Sequence, residues 1–567
     1  MNFWQKLLLI FVIIIGFFIR IYKINEIPYG LLPDEASIGY NAYSVLKTGK
    51  DEYGIKFPII FKAFGDQKQP IYIYLTIPFI KIFGLTNFSV RILSVISGTL
   101  LIFIIFKLLR LLKFNIYLSI LGSFITAISP WMIILSRFSY ESNVALLFFL
   151  SGIYFLIKDK SKLDLIFSIL FLSLTFFTYI SFRLITPLIT FLIIVLINKK
   201  NKKLLLFFLI FFFLFLFLLK MENNSSNLAR FNQITNTTAQ GLVLEINEYR
   251  NFCSNYLPTK ICYANANKLI FFTREFIYRF IKSISFDYLF LYGDNEAKYI
   301  NIDHFGLIPI FLLPFYILGF VKIIDELFKL KFNHINLFII IGLIITPIPN
   351  ILVSDPQKIR LSALYPFVCL LIIYGFQFIF EKIKKINYFI LYNFIILLFC
   401  LYGIFLTINF LFIHINKYEI SYYNHVRKLA EYIIKQDKNN IYLIRNFPEF
   451  PIIYAFYKKI DPILFQKQTI RKKSDNIGFS HIFKTNNIIM TEKSIDEIYC
   501  YLKEKKLLSK TNYYYVINEN LIDNKKILKS EKIIYSTNSS LKLIYVFNLN
   551  KINNKSVDCS YIKNLSF

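Results

Sequence analysis

Long apolar runs separated by short basic segments dominate the chain. Runs such as "LLLIFVIIIGFFI" (7–19) and "LLLFFLIFFFLFLFLL" (204–219) are long enough, or nearly so, to cross a hydrocarbon core of about 30 Å as helices. Because such runs recur, the pattern predicts a polytopic α-helical membrane protein. We count about eleven transmembrane helices, at 5–23, 88–109, 114–134, 142–158, 164–181, 184–198, 203–220, 305–323, 335–353, 361–380 and 387–412.

The distribution of Lys and Arg predicts the orientation of these spans, since cytoplasmic loops carry an excess of both. A cytoplasmic N-terminus makes five inner loops basic: "KLLRLLK" (107–113), "KDKSK" (158–162), "KKNKK" (199–203), "KLK" (329–331) and "EKIKK" (381–385). The first span dissents, because Arg20 and Lys23 lie at its outer end. Its apolar run lacks a small-residue cleavage site, which favours a signal anchor over a removed signal peptide.

Three large segments are then extracytoplasmic. They are the loops 24–87 and 221–304 and the tail from about residue 413. The tail alternates helical stretches with strand-like runs such as "NNIYLIRN", "NYYYVIN" and "LKLIYVFNL". We therefore predict a transmembrane domain over 1–415 and a soluble extracytoplasmic α/β domain over 416–567.

Composition excludes some classes of function and leaves others open. The 567 residues carry a net charge of +30, and 56% of them are hydrophobic. Many lysines lie in the short loops, where orientation signals belong, so the charge does not favour a nucleic-acid partner. We expect the chain in the cell membrane. The sequence contains no Gly-rich phosphate loop of the kind that would indicate a nucleotide cofactor.

The cysteines suggest disulfides and no metal site. Cys369 and Cys400 lie within predicted spans and are most simply packing residues. The outer placement of the other four makes the pairs Cys253–Cys262 and Cys500–Cys559 plausible. No spacing of His and Cys suggests zinc, and no ligand cluster calls for another metal or a cofactor.

The first outer loop concentrates chemistry in "PDEASIGYNAYSVLKTGKDEYG". Pro33 turns the chain before Asp34 and Glu35, so Asp34 is a candidate helix cap, a catalytic base, or both. The helical stretches "EASIGYNAYSVLK" and "PIYIYLTIPFIKIFG" are compatible with helices that lie along the membrane surface. In the second, Tyr72 and Tyr74 would be at headgroup depth.

Several stretches in a fixed order resemble a known family. They are "LLPDEASIGYNAYSVLKTGKDEYG", "FGDQKQPIYIYL", "VRILSVISGTL", "SRFSYESN", "TYISFRLITP", "FDYLFLYGDN", "HFGLIPIFLLPFYILG" and "DPQKIRLSALYPF". Together they resemble bacterial members of the protein O-mannosyltransferase-like superfamily, glycosyltransferase family 39 and its relatives, which include the lipid A aminoarabinose transferases. The resemblance covers about residues 5–415 and implies a membrane enzyme of GT-C fold.

The resemblance also implies a mechanism and a set of site residues. The donor would be a sugar on a polyprenyl phosphate. Asp34 would be the general base, with Glu35 beside it in the catalytic pair. Lys68 matches a lysine that contacts the donor phosphate, although Gln69 replaces the first of the two prolines that follow it in relatives. The outer ends of predicted spans supply further candidates for that phosphate: Arg137, Arg183 and Arg360.

Four other residues are weaker candidates for substrate binding: Asp66, Tyr72, Glu141 and His304. Two of them, Glu141 and His304, also have a structural interpretation. Glu141 lies four residues after Arg137, as in a helical ion pair, and a single interfacial His304 is often structural. The arginines, likewise, are compatible with snorkelling toward lipid headgroups.

The sequence therefore predicts an inverting glycosyltransferase that transfers a sugar from a lipid-linked donor to an acceptor hydroxyl on the outer face of the membrane. The acceptor is a protein, a lipid or a glycan, so protein glycosylation and lipopolysaccharide modification both stay open. The alternatives are a flippase or transporter of lipid-linked sugars, a sugar polymerase, and a non-catalytic scaffold of envelope glycan assembly. Transport is disfavoured because the predicted spans carry few charges in their middles.

Overall fold

The structure is a computed structural model of the whole chain. It describes all residues except 65, 199–200, 222–242, 245, 295–304, 330–332, 383–397, 399–400, 404, 407, 415–416, 419, 437–438, 474–479, 510, 519–530, 536–541, 553–558 and 560–567. The α-helices given bounds in the described part are α1 (Phe3–Ile21), α2 (Pro33–Thr48), α3 (Pro70–Phe83), α4 (Asn87–Leu111), α5 (Ile116–Ile128), α6 (Pro130–Arg137), α7 (Glu141–Lys158), α8 (Lys162–Phe176), α9 (Phe182–Ile193), α10 (Asn201–Met221), α11 (Thr259–Asn265), α12 (Lys268–Ile284), α13 (Leu313–Phe328), α14 (His334–Ile345), α15 (Ile348–Ile351), α16 (Tyr365–Lys382), α17 (Asn424–Ile434), α18 (Phe450–Lys458), α19 (Pro462–Gln468) and α20 (Ile495–Glu504).

The strands form two sheets. A short antiparallel pair lies in the first outer loop, and a seven-stranded mixed sheet within the described residues lies in the tail. The strands are β1 (Phe61–Ala63), β2 (Asp66–Lys68), β3 (Ile441–Arg445), β4 (Ile470–Arg471), β5 (Ile482–Thr485), β6 (Ile488–Thr491), β7 (Tyr513–Asn518), β8 (Lys532–Tyr535) and β9 (Lys542–Asn548).

The chain is a multi-pass membrane protein, with fewer full-length spans in the described residues than the eleven expected. Six of the described helices are long and apolar enough to cross a membrane, and α5 with α6 gives a seventh crossing if the pair, bent by 55°, is one span. The predicted spans 164–181, 184–198 and 305–323 correspond to α8, α9 and α13, which have 12 to 16 residues. At 1.5 Å per residue these helices are shorter than 30 Å. The predicted span 387–412 lies largely outside the described residues.

The bend between α5 and α6 has a local cause. Pro130 is the first residue of α6 and offers no N–H to continue the preceding helix. Two donors at the bend share one carbonyl from a distant part of the chain. Ser129 Oγ donates to Leu307 O over 3.0 Å, and Trp131 N donates to the same oxygen over 3.1 Å. The break is therefore satisfied by polar partners.

The chain divides into two compact units, of which the first comprises Met1–Ile24, Gln69–Tyr72 and Arg91–His414. Within it, α13 and α16 approach closely because each has a glycine at the crossing. A Cβ on Gly319 would lie 2.2 Å from Leu371 O, and one on Gly375 would lie 1.9 Å from Phe315 O. Small residues at a crossing are typical of packed membrane helices.

Arg20 is one of the two basic residues at the outer end of the first span, and the other, Lys23, is exposed. The Arg20 side chain is fully buried and donates to the carbonyls of Gly16, Ala127 and Thr126 at 2.9–3.0 Å and to Ser136 Oγ at 3.1 Å. Arg20 thus ties α1 to α5 and α6 and is no exposed loop charge. The positive-inside rule concerns loop residues, so Arg20 does not bear on the orientation.

The second unit comprises Asn25–Lys68, Ile73–Val90 and Ile415–Phe567, so the first outer loop and the tail fold together. Its large sheet has the order β4-β5-β6-β3-β7-β9-β8, with β3 parallel to both β6 and β7. The three strand-like runs of the tail are β3, β7 and β9. Both suggested disulfides are present, with Cα atoms 5.7 Å apart in Cys253–Cys262 and 5.5 Å apart in Cys500–Cys559.

Helix α2 packs against the tail. Most of α2 is buried in the second unit, where Tyr40 OH donates to Ile460 O over 3.0 Å and the Tyr40 ring lies 4.8 Å from that of Phe465. Gly39 permits the close approach to α18, since a Cβ there would lie 2.6 Å from the Phe456 ring. The aromatic spacing of α2 therefore serves packing against the tail.

Candidate active site

The acidic pair occupies the first turn of α2, and its two carboxylates have different surroundings. Pro33 is the first helical residue, where its fixed φ and missing N–H suit a helix start. Glu35 is buried, and its Oε2 accepts a hydrogen bond from Leu32 N over 3.2 Å. Glu35 therefore satisfies an N-terminal backbone donor, a role that the sequence had suggested for Asp34.

Asp34 extends from the same turn into solvent. Lys68 Nζ lies 2.7 Å from Asp34 Oδ1 and 3.5 Å from Asp34 O. The Asp34 side chain is 72% exposed and that of Lys68 is 11% exposed. The structure therefore brings together the predicted base and the predicted phosphate ligand, with the carboxylate accessible and the cation sheltered.

The β1-β2 hairpin positions Lys68. Lys68 pairs with Phe61 in the antiparallel register, and Asp66 pairs with Ala63. Phe61 is buried, and its ring packs edge-on against Tyr74 at 5.4 Å. The predicted site residue Asp66 is thus in strand β2, and its side chain lies outside the described part of the structure.

A buried acidic pair lies further along the same loop. Asp51 Oδ1 accepts from the backbone N–H groups of Tyr53 and Ile55 at 2.9 and 2.8 Å. Burial raises the pKa of Asp51 against the effect of these hydrogen bonds. Burial also raises the pKa of Glu52 to about 7, an effect that the positive charge of Arg471 opposes.

The predicted substrate-binding Tyr72 is a buried structural residue. Its side chain has no exposed surface, and its OH lies 3.0 Å from Ser94 Oγ. Tyr74 is half buried and donates to Pro58 O over 2.9 Å.

Arg137 closes the C-terminus of α1. Its guanidinium donates to the carbonyls of Ile19, Arg20 and Tyr22 at 2.8, 3.2 and 2.9 Å, and its side chain is fully buried. These carbonyls belong to the last turn of a helix, where backbone acceptors lack helical partners. The geometry gives Arg137 a structural role, in contrast to the predicted contact with the donor phosphate. Glu141 is half buried and is the first residue of α7.

Arg183 bonds to the residue that departs from the family pattern. Its Nε donates to Phe176 O over 3.1 Å, and one of its terminal nitrogens donates to Gln69 Oε1 over 2.9 Å. Gln69 follows Lys68 directly in the chain. An amide oxygen at this position can hold an arginine, which the proline of relatives cannot.

The segment around Arg360 holds a buried charge that sequence reasoning did not single out. Arg360 donates to Ser354 Oγ over 3.1 Å. Lys358 is fully buried, and this burial lowers the pKa of its ammonium group to about 7. The negative charge of the buried Asp294 opposes the decrease. Both residues lie in motifs that carry the family resemblance, but a letter pattern does not show burial.

The remaining predictions concern His304 and metals. His304 lies outside the described residues. Among the residues described, no group of three or more His, Cys, Asp or Glu side chains is arranged to hold a metal ion.

No protein-family model and no curated protein matches the sequence. Similar solved structures include apo ArnT from Cupriavidus metallidurans, at 10% identity and TM-score 0.49, covering 96% of this chain and 97% of that chain. ArnT from that organism bound to undecaprenyl phosphate is similar at 9% identity and TM-score 0.43, covering 96% and 98%. The oligosaccharyltransferase of Archaeoglobus fulgidus, with zinc and sulfate, is similar at 12% identity and TM-score 0.44, covering 80% and 61%.

At TM-scores below 0.5, the similarities assign no activity, substrate or site to this chain.

Proposed function

We propose that this protein is a membrane glycosyltransferase that moves a sugar from a polyprenyl-phosphate donor to an acceptor hydroxyl on the outer face of the membrane. The observation that carries the proposal is the Asp34–Lys68 pair, in which an exposed carboxylate is held 2.7 Å from a sheltered ammonium. A base needs access to the acceptor, and a leaving phosphate needs a cation. One ion pair supplies both groups.

The reaction uses the two groups in one displacement. The acceptor hydroxyl loses its proton to an Asp34 carboxylate oxygen while its own oxygen forms a bond to the anomeric carbon. The bond from that carbon to the phosphate oxygen breaks, and polyprenyl phosphate leaves as an anion. Attack opposite the leaving group inverts the anomeric carbon. No general acid is required, because a phosphate is already a good leaving group.

Lys68 acts on both partners in this scheme. An ammonium carries three N–H donors, so it can contact the Asp34 carboxylate and a phosphate oxygen together. Arg183 and Arg360 are retained as proposed further phosphate ligands. Arg137 and Glu35 are proposed to act only through the structure, because their observed partners are backbone groups.

The test uses the purified full chain in lipid nanodiscs with a panel of polyprenyl-phosphate sugars. We expect release of polyprenyl phosphate with at least one donor when acceptor extracts are present. Asp34→Asn should lower that rate by about 10²- to 10⁴-fold, the usual contribution of a general base. The matched control is Glu26→Gln, which removes an exposed carboxylate from the same loop.

The outcomes separate the candidate functions. Equal release by the native protein and Asp34→Asn would keep the enzyme and remove Asp34 as its base. Absence of release from folded protein, with every donor and acceptor extract, would contradict glycosyl transfer. Movement of an intact lipid-linked sugar from one leaflet to the other, in vesicles that contain the protein, would favour the flippase alternative.

A further inference from the structure

Helix α12, in the second outer loop, exposes one apolar side on which Arg274 also lies, while its Phe271 is buried. Ile270, Ile277 and Ile281 recur at helical spacing, and their side chains are 45–58% exposed. Tyr278, on the same side, is 53% exposed. A surface helix of a water-soluble domain seldom exposes so many large apolar side chains on one side.

The inner side of α12 is fixed by an ion-pair network. Lys282 Nζ lies 2.5 Å from Asp355 Oδ2, and Arg279 Nε lies 3.5 Å from Asp355 Oδ1 and 3.7 Å from Glu275 Oε2. These helix residues are spaced by three and four positions, so they share one face. The network determines which side of the helix remains outward.

The attachment point of α12 is the end of a candidate membrane span. Arg279 donates to Ile351 O over 3.3 Å, and Ile351 is the last residue of the apolar span His334–Ile351. Asp355 follows four residues later. The end of a span is where the hydrocarbon core gives way to the headgroup region, so α12 is anchored at the depth of that boundary.

The composition of this region matches the headgroup layer. Helices α11 and α12 contain five basic residues and one acidic residue, Glu275. Lys260, Lys268 and Arg274 are exposed. Aromatic side chains nearby are also exposed, among them Tyr256 and Tyr263. Apolar residues flanked by Lys, Arg and Tyr are typical of helices that lie in an anionic membrane interface.

We infer that α12 is an interfacial membrane helix, whose outward side, formed by Ile270, Ile277, Tyr278 and Ile281, lies in the outer leaflet among the lipid headgroups. The occupant of this surface is bilayer lipid, with anionic headgroups near Lys268 and Arg274. The inference does not depend on the proposed glycosyl transfer. It predicts that the second outer loop is held at the membrane surface by lipid as well as by Asp355.

The test measures the surroundings of spin labels on the full chain in nanodiscs of phosphatidylethanolamine and phosphatidylglycerol. Labels are attached at Ile277→Cys and Ile281→Cys, separately, after Cys369→Ser and Cys400→Ser. About half of each native side chain is exposed, so a label needs no opening of the core. Phe213→Cys, on the apolar helix α10, is the lipid reference. Lys503→Cys, on the exposed side of α20, is the water reference.

Collision rates with oxygen and with a water-soluble nickel chelate distinguish the possible surroundings. We expect the ratio of oxygen to nickel collisions at 277 and 281 to exceed that at 503 by at least threefold and to approach that at 213. A ratio equal to that at 503 would place the helix in water and overturn the inference. Low collision rates with both reagents would show that protein covers the surface, which would also overturn it.

Discussion

Lys68 Nζ lies 2.7 Å from Asp34 Oδ1, although the two residues are 34 positions apart. The lysine is the more buried partner, with 11% of its side chain exposed against 72% for the aspartate. The β1-β2 hairpin positions the lysine, and the lysine contacts a largely exposed carboxylate. This asymmetry suits a base that must meet a substrate from solution while its orienting partner stays in place.

Replacing Lys68 should impair turnover more than stability. We expect Lys68→Gln to raise KM for the lipid-linked donor and to lower kcat, because both the phosphate contact and the restraint on Asp34 are lost. An ion pair with one exposed partner contributes at most about 1 kcal/mol to folding. Steady-state kinetics and thermal unfolding measure the two effects. The control is Lys47→Gln, at an exposed position of α2, and an equal loss of activity in that variant would contradict a specific role for Lys68.

Glu52 should make the second unit less stable as the pH rises. Its folded pKa is raised to about 7 from an ordinary value of 4.5, so the folded state binds the proton more tightly than the unfolded state. The stabilisation is complete below about pH 4.5 and is lost as the pH rises to about 7. The shift corresponds to at most about 3 kcal/mol.

Hydrogen exchange of the full chain provides a local measurement of this effect. Protection factors of peptides from α2 and β3, corrected for the intrinsic rate, should fall between pH 5 and pH 8. Glu52→Gln keeps the shape of the side chain and cannot ionise, so its protection should change less over this range. If protection in Glu52→Gln falls with pH as steeply as in the native protein, this carboxyl is not the cause.

Arg137 should prove necessary for folding and not for donor binding. Its guanidinium donates to three carbonyls at the end of α1 and is fully buried. Arg137→Lys keeps the charge but reaches fewer of these acceptors, and we expect a loss of about 2–4 kcal/mol of stability. The KM for the donor, measured on the folded fraction, should stay within about twofold of the native value. A tenfold rise of KM with unchanged stability would restore the role as a phosphate ligand.

Lys358 and Asp294 should behave as a coupled pair. Each is buried, and the negative charge of Asp294 raises the pKa of Lys358, so the two charges stabilise each other in the folded state. We expect Lys358→Met combined with Asp294→Asn to lower the apparent Tm less than the sum of the two single changes. A double-mutant cycle of unfolding in detergent measures the coupling. Additive effects would show that the two charges do not interact.

The sequence by itself determined the features that depend on local pattern. Long apolar runs predict helices wherever they occur, because a segment in lipid must satisfy its backbone within itself. The alternation of the tail likewise predicted β3, β7 and β9, and the cysteine placement suggested both disulfides. The acidic pair was recognisable as chemistry because Pro33, Asp34 and Glu35 are adjacent in the chain.

Tertiary structure alone decided which of these groups meet and which are buried. Glu35 accepts a hydrogen bond from Leu32 N at the start of α2, and Asp34 pairs with Lys68. Arg20 and Arg137 look like membrane-boundary cations in the sequence, yet both bond to buried carbonyls contributed by other segments. The apolar residues of α2 pack against the tail, whereas Ile270, Ile277 and Ile281 of α12 face outward. The sequence pattern shows which residues share a face of a helix. The elements that pack against the helix determine which of those faces is buried.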